Sequence, residues 1–252
     1  MINSNTLGDL MIDLTDSNQF YIFPVSDLHF GSNWFDERMF DMWKDAFESV
    51  WDNKCIYLLG DLVEFSTTKV NAHESNMTTE DSINQVIEMF EPYKEYVRFV
   101  ASGNHELRGK KEFNLDVTKI IAKQLGAKYT RNDFFDKLSV NGKDFVIYGK
   151  HGTNTSKYSD LAIKNFKIDM GNIDANLYMM GHNHLLEFSQ KIQRYFGGAY
   201  TKYYAFTGSF LKFKNSYAHN RGMTPIPQGF LRIGIDSDLN VSCKKFQGDC
   251  GL

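Results

Sequence analysis

Phe20-Tyr21-Ile22-Phe23-Pro24-Val25 is an apolar run that gives way to Ser26-Asp27-Leu28-His29, and the same form recurs along the chain. Residues 55–59 lead to Gly60-Asp61, and residues 97–101 lead to Gly103-Asn104-His105-Glu106. Residues 145–150 lead to His151-Gly152, and residues 177–180 lead to Gly181-His182-Asn183-His184. Short runs rich in β-branched and aromatic residues suit strands buried on both faces. Between the first three lie stretches with helical spacing, residues 35–51 and 80–93, where Ile83, Val86, Ile87 and Phe90 recur at three and four. A further helix is expected over residues 114–125, ending before Gly126. Asn141-Gly142 between residues 134–140 and 143–148 is a hairpin signal. Strand-like pieces follow at residues 203–206, 230–235 and 240–246. The expected class is α/β: a two-sheet mixed β-sandwich flanked by helices, its early strands alternating with helices and its later ones largely antiparallel.

The 252 residues show no Pro/Gly/Ser-rich linker, low-complexity tract or repeat, so a single domain over 1–252 is expected. The 42% hydrophobic content is enough for a substantial core without staples. Cys55, Cys243 and Cys250 form no framework of spacings; Cys55 reads as core packing, and a Cys243–Cys250 bridge does not suit a reducing compartment. The first residues lack a basic start and an apolar stretch, and no apolar run is long enough to cross a bilayer. A cytoplasmic protein with no membrane partner is the expectation. With a net charge of −3, any hold on a polyanion must come from a local patch or from bound cations.

Of seven histidines, five (His29, His105, His151, His182 and His184) fall in the strand-end motifs, leaving His73 and His219 elsewhere. Taken singly, Asp-x-His or Gly-Asp after a strand is as readily a turn or a helix cap. Together, in a sheet whose ligands gather beyond the carboxyl ends of the strands, they can converge on one metal site. Imidazole, carboxylate and amide oxygen without thiolate suit Mn²⁺, Fe²⁺ or Zn²⁺, and speak against a cysteine-type structural zinc.

The ordered set Asp-x-His, Gly-Asp, Gly-Asn-His-Glu, His, Gly-His-x-His resembles the signature of the calcineurin-like metallophosphoesterase superfamily, over residues 20–209. The resemblance implies two divalent metal ions; Mn²⁺ is the first choice for this donor set, with Fe²⁺, Zn²⁺, Ni²⁺ or Mg²⁺ as alternatives. It implies that Asp27, His29 and His184 hold one, that Asn104, His151 and His182 hold the other, and that Asp61 bridges them. His105 is then a general acid facing the leaving group, oriented by Glu106 or another carboxylate; the plainer alternative is that it only hydrogen-bonds a ligand. Gly60, Gly103 and Gly181 are expected to permit tight turns beside the site.

Ser/Thr protein phosphatases of that superfamily carry an arginine shortly after Gly-Asp and another before Gly-Asn-His-Glu; residues 61–65 and 101–103 contain none. Residues 209–229 interleave Phe210, Phe213 and Tyr217 with Lys212, Lys214, His219 and Arg221, a mixture suited to bases and phosphates, or equally to a strand with one apolar and one basic face. Arg108, Lys110 and Lys111 sit where a loop could reach substrate, or on a solvent-facing helix. The expected substrate-binding residues are Arg108, Lys212, Lys214, His219 and Arg221. The chain looks most like the DNA-repair-exonuclease and phosphodiesterase branch, with a nucleotide or nucleic-acid phosphodiester as substrate. A phosphomonoesterase and a non-catalytic scaffold on the same fold are the alternatives.

Overall fold

The computed structural model describes all residues except 1–8, 16–17, 52, 67–74, 154–158, 215, 221, 223–224, 226 and 249–252. In chain order the elements begin with β1 (Leu10–Ile12), β2 (Phe20–Val25), α1 (Glu37–Glu48), β3 (Lys54–Leu58) and α2 (Thr79–Phe90). A 3₁₀ turn, Glu91–Tyr96, leads to β4 (Val97–Ala101), α3 (Asn104–Phe113), α4 (Val117–Gln124) and β5 (Lys128–Thr130). Then come β6 (Asp133–Val140), β7 (Lys143–Lys150), α5 (Ser159–Asp169), β8 (Leu177–Met180), β9 (Leu186–Tyr195) and β10 (Gly198–Thr207). α6 (Tyr217–Asn220), β11 (Gly229–Ile235) and β12 (Val241–Gln247) complete the described chain.

The strands form two six-stranded sheets, ordered β12-β11-β2-β3-β4-β5 and β1-β6-β7-β8-β10-β9. In the first, β2 to β5 run parallel, and β11 joins β2 antiparallel. The alternation of side chains along a strand then sorts the residues between layers. Ile22, Cys55, Tyr57 and Phe99 face Leu138, Phe145, Ile147 and Met179 of the second sheet. Their neighbours Phe23, Ile56, Leu58 and Val100 face outward onto Trp43, Phe47, Phe90 and Ile121 of α1, α2 and α4. α5 covers the outer side of the second sheet, setting Phe166 on Tyr204 and Phe206. The two-sheet sandwich with helical cover is thus as expected, and Cys55 is buried in it. No described helix is long and apolar enough to cross a membrane.

The differences have local causes. α1 starts at Glu37 because Asp36 caps it, accepting from Arg38 N at 3.1 Å. α2 stops at Phe90 because Pro92 cannot continue it, and the chain tightens into the 3₁₀ turn. The helix expected from residue 114 begins at Val117: Asn114, left-handed at φ 54°, ends α3, and Asp116 caps α4. Not all later joins are antiparallel, since β8 pairs parallel with both β7 and β10; the crossover carrying α5 connects the first pair, and β9, antiparallel to β10, returns the chain for the second. Cys243 is a free thiol, and Cys250 lies outside the described residues.

β10 touches β8 only over Tyr203–Phe206, so its first half projects with β9 as a two-stranded ribbon whose turn residue Phe196 is fully exposed. The sheets are also joined by polar groups. Arg98 of β4 pairs bidentately with Asp136 of β6, its Nη2 donating to Oδ1 at 2.7 Å, and the Tyr57 hydroxyl donates to Asp136 Oδ2 at 2.7 Å. Removing one partner of such a buried pair costs about 3–5 kcal/mol. Asp136→Ala is therefore expected to lower urea-unfolding stability by that order, and a loss confined to a few tenths would show that the sheets are held by apolar contact alone.

Candidate metal centre

The carboxyl ends of β2, β3 and β4 meet those of β7, β8 and β10 along one edge of the sandwich. There the backbone takes an uncommon form: Asp27, His29, Asp61, His182 and His184 all have positive φ, between 46° and 74°. Residues with a Cβ are held there only when their surroundings over-determine them, and such strain gathers at functional sites. The surroundings do so here. Asp27 N donates to Gly60 O (3.0 Å), His29 N to Asp61 O (2.9 Å) and His182 N to Asp27 Oδ2 (2.9 Å).

Two of the three expected glycines act by size, not by φ. A Cβ on Gly103 would lie 2.1 Å from both the amide nitrogen and Oδ1 of Asp61, and one on Gly181 would lie 2.5 Å from Ser26 Oγ. Gly60 alone of the three needs its left-handed φ, 88°.

All seven expected ligands come together. Asp27, His29, Asp61 and His151 form a buried floor, while His182 and His184 are half-exposed and Asn104 is exposed at the rim. Asp27 Oδ1 is 3.3 Å from His184 Nε2 and 3.9 Å from His29 Nε2. His151 Nε2 is 3.2 Å from Asp61 Oδ2, 3.1 Å from Asn104 Oδ1 and 3.3 Å from His182 Nδ1; Asn104 Oδ1 and His182 Nδ1 are 2.8 Å apart. Asp61 Oδ1 is taken by the His105 amide at 2.8 Å, but Oδ2 faces both groups, lying 3.7 Å from His29 Nε2.

The proton positions test whether cations fit. His29 Nδ1 donates to Glu64 Oε2 (2.8 Å), and His151 Nδ1 donates to Leu59 O (2.8 Å). A neutral ring then has a bare lone pair on Nε2, aimed at carboxylate and amide oxygens that are acceptors too. Asp27 Oδ1 and His29 Nε2 are buried with no hydrogen-bond partner. Acceptors crowding acceptors call for positive charge among them, and second-layer bonds to Glu64 and Leu59 O are what orient ligating imidazoles. The site draws that charge in. Although burial alone would lower the pKa of His151, the Asp61 carboxylate raises it to about 10. Burial works against ionisation of Asp61, yet His151 and His105 hold it well below the usual carboxylate range.

His105 is buried at the edge of this floor, its ring set edge-on to His29 at 4.4 Å. The expected partner Glu106 does not touch it; that carboxylate accepts backbone amides instead. Glu64, which the sequence reading missed, stands 3.1 Å from His105 Nδ1 and also accepts from His29, so one carboxylate orients both rings. Its place in the apolar run Leu62-Val63-Glu64-Phe65, where an acid would be buried, is the signal that could have found it. Burial disfavours the charged form of His105, but Asp61 and Glu64 outweigh it and raise its pKa.

The expected substrate residues divide. Residues 106–111 are helical, not a loop, and the guanidinium of Arg108 lies against the His105 ring, 3.1 Å from Nε2 and 3.3 Å from Nδ1. Lys212 and Lys214 are exposed, and His219 of α6 packs edge-on against Phe213, away from the expected ligands in its ring contact. Phe210 is core, stacked on Phe230, because the chain at Ser209 pairs with Gly229 and buries it. Arg221 and His73 lie outside the described residues. Surface cavities of about 480 Å³ beside α5 and about 380 Å³ beside the C-terminal end of α1 are lined by other residues.

The sequence model of the calcineurin-like phosphoesterase family matches residues 21–207. No curated protein matches the chain. Among solved structures, it is similar to the NAD nucleotidase NadN of Haemophilus influenzae, with 10% identity over 91% of this chain and 50% of that one, and a TM-score of 0.51. It thus spans about half the length of that enzyme. It is also similar to the calcineurin-like phosphoesterase YfkN of Bacillus subtilis (11%, 92% of each chain, TM-score 0.45). Vps29 of Entamoeba histolytica complexed with Zn²⁺ is another such structure (13%, 90% of this chain and 98% of that one, TM-score 0.44). Likeness at these identities concerns the fold.

A ligand that binds only the folded state stabilises it by about 2.7 kcal/mol at a hundred times its dissociation constant. Thermal melts of chelator-treated protein are expected to shift upward with Mn²⁺. Asp61→Ala, which empties the position facing both groups, should abolish the shift; an undiminished shift would remove Asp61 from the site. Gly103→Ala is expected to weaken the shift too, because its methyl displaces the Asp61 carboxylate.

Proposed function

The chain belongs to the calcineurin-like phosphoesterase family, and on that premise we propose that it is a two-metal phosphodiesterase acting on nucleotides or nucleic acid. The observation that carries this is Asp61 Oδ2, placed 3.7 Å from His29 Nε2 and 3.2 Å from His151 Nε2, between the group Asp27, His29 and His184 and the group Asn104, His151 and His182. In this reading Asp27, His29 and His184 would hold one ion and Asn104, His151 and His182 the other, with Asp61 available to both. Two divalent ions, Mn²⁺ first by donor set, would neutralise phosphoryl oxygens and lower the pKa of a shared water.

The chain's own residues supply the rest. In this reading His105, its Nδ1 held by Glu64, presents Nε2 to the leaving-group oxygen once the Arg108 guanidinium now 3.1 Å from Nε2 turns to the phosphate; burial lowers the ring's pKa, and Asp61 and Glu64 raise it overall. Arg108, beside Nε2, offers a guanidinium to a phosphate oxygen from the direction of α3. With no arginine in residues 61–65 or 101–103, side-chain charge around the phosphate is modest, which favours the singly charged diester over the doubly charged monoester. Every ligand position is filled, which speaks against a non-catalytic scaffold. Cys55 and Cys243, both free, suit a reducing cytoplasm.

With Mn²⁺, hydrolysis of bis-p-nitrophenyl phosphate is expected to exceed that of p-nitrophenyl phosphate; a strong reverse preference would favour the monoesterase alternative. His105→Ala is expected to keep both ions and lose roughly 10²- to 10⁴-fold in kcat. The loss should be largest for esters with poor leaving groups, and equal losses on activated and unactivated esters would reduce His105 to a structural part. Arg108→Ala should raise KM more than it lowers kcat, as removal of a group that grips substrate and transition state alike does.

A further inference from the structure

Glu106 is 2% exposed, and backbone amides fill its carboxylate. Oε1 accepts from Leu62 N (2.6 Å) and Val63 N (3.1 Å); Oε2 accepts from Asp61 N (3.0 Å) and Gly103 N (2.8 Å). The bond to Gly103 is local: Glu106 is the third residue of α3 and reaches back to the residue that caps it, half of a capping box. The other three cross to the turn after β3, more than forty residues away in sequence. That turn runs through Gly60 (φ 88°) and Asp61 (φ 49°), and successive amides beyond such left-handed residues point into one concavity, the shape that elsewhere binds anions. Here the anion is internal.

The consequence concerns spacing. One carboxylate ties the amides of Asp61 and of Gly103, the residue before Asn104, and the Asp61 side chain returns a second tie by accepting from His105 N at 2.8 Å. Between these ties there is no room for slack, since a Cβ on Gly103 would already strike Asp61. We propose that Glu106 is a positioning residue that fixes Asp61 relative to Asn104 before any metal arrives, so that the distance from the shared carboxylate to one group of ligands is set by the protein and not by the ions. The proposal rests on the metal-centre reading above.

Glu106→Gln tests it. An amide can serve the two donors at one oxygen but sets its NH₂ against the two at the other, so two of the four bonds must open. The expected result is a fall of roughly 10- to 100-fold in Mn²⁺ affinity by calorimetry, the usual scale for partners behind the ligands. Hydrogen exchange at Asp61, Leu62, Val63 and Gly103 should speed up while Ile56 and Leu58 of β3 stay protected. Wild-type affinity in the variant would overturn the proposal. So would metal-free wild-type protein whose four amides exchange freely and slow only when Mn²⁺ is added, a measurement that stands even if the variant fails to fold. If the wild-type protein takes up no Mn²⁺ at all, the metal-centre reading falls and the proposal with it, an outcome recognisable without the variant.

Discussion

Four carboxylates, those of Asp27, Asp61, Glu64 and Glu106, are buried together at one edge of the sandwich, and the rest of the site is arranged to make that tolerable. An ionised group taken from water needs partners, or it protonates. Two kinds of partner are supplied. Glu106 receives amides alone; Asp27 and Asp61 each give one oxygen to an amide and turn the other to histidine rings, and Glu64 faces two rings. The division separates structure from chemistry, because amides neither move nor titrate, whereas an imidazole can hold a proton, pass it on, or turn a lone pair to a cation. One acid thus serves the scaffold alone, two serve scaffold and field together, and Glu64 serves the rings.

The fold makes this crowding possible by placing parallel strands in two facing sheets. Parallel strands all finish at one edge, so a pair of such sheets brings the ends of six strands together across the sandwich core. The side chains that decide the chemistry then come from positions far apart in the chain, with Asp27 bonded to the amide of His182 and His105 to Asp61. The Arg98–Asp136 pair and the stacked Phe99 and Phe134 rings, 4.3 Å apart, keep the sheets from sliding, and with them the two halves of the ligand set.

Much of this was legible beforehand for a simple reason: strands buried on both faces must be continuous apolar runs, and runs that end in Asp or His stand out. The Asn141-Gly142 turn was equally plain, and its hairpin pairs over the full length of β6 and β7. What escaped notice lacks such a pattern. β9, Leu186-Glu187-Phe188-Ser189-Gln190-Lys191-Ile192-Gln193-Arg194-Tyr195, is a half-exposed edge strand whose partner is its signal, and α3, one of two readings open for residues 106–111, is obscured by Gly109. β1 and β5 are three residues each. Glu64 was missed because its role depends on two rings brought from elsewhere, His29 and His105, which no spacing reveals. Phe210 was misread for the complementary reason: its aromatic and basic neighbours suggested a binding loop, while the backbone pairing that buries it is long-range.

The left-handed backbone at Asp27, His29, Asp61, His182 and His184 sets these positions against the interests of the fold. A non-glycine residue held there costs of the order of 1–3 kcal/mol, and glycine would relieve most of that while deleting the side chain the site needs. Evolution toward heat resistance alone would drift these five places toward glycine or asparagine. If the proposed chemistry holds, their acids and imidazoles mark where selection for activity has overruled selection for stability, and a stabilised version of this protein should be sought everywhere except there.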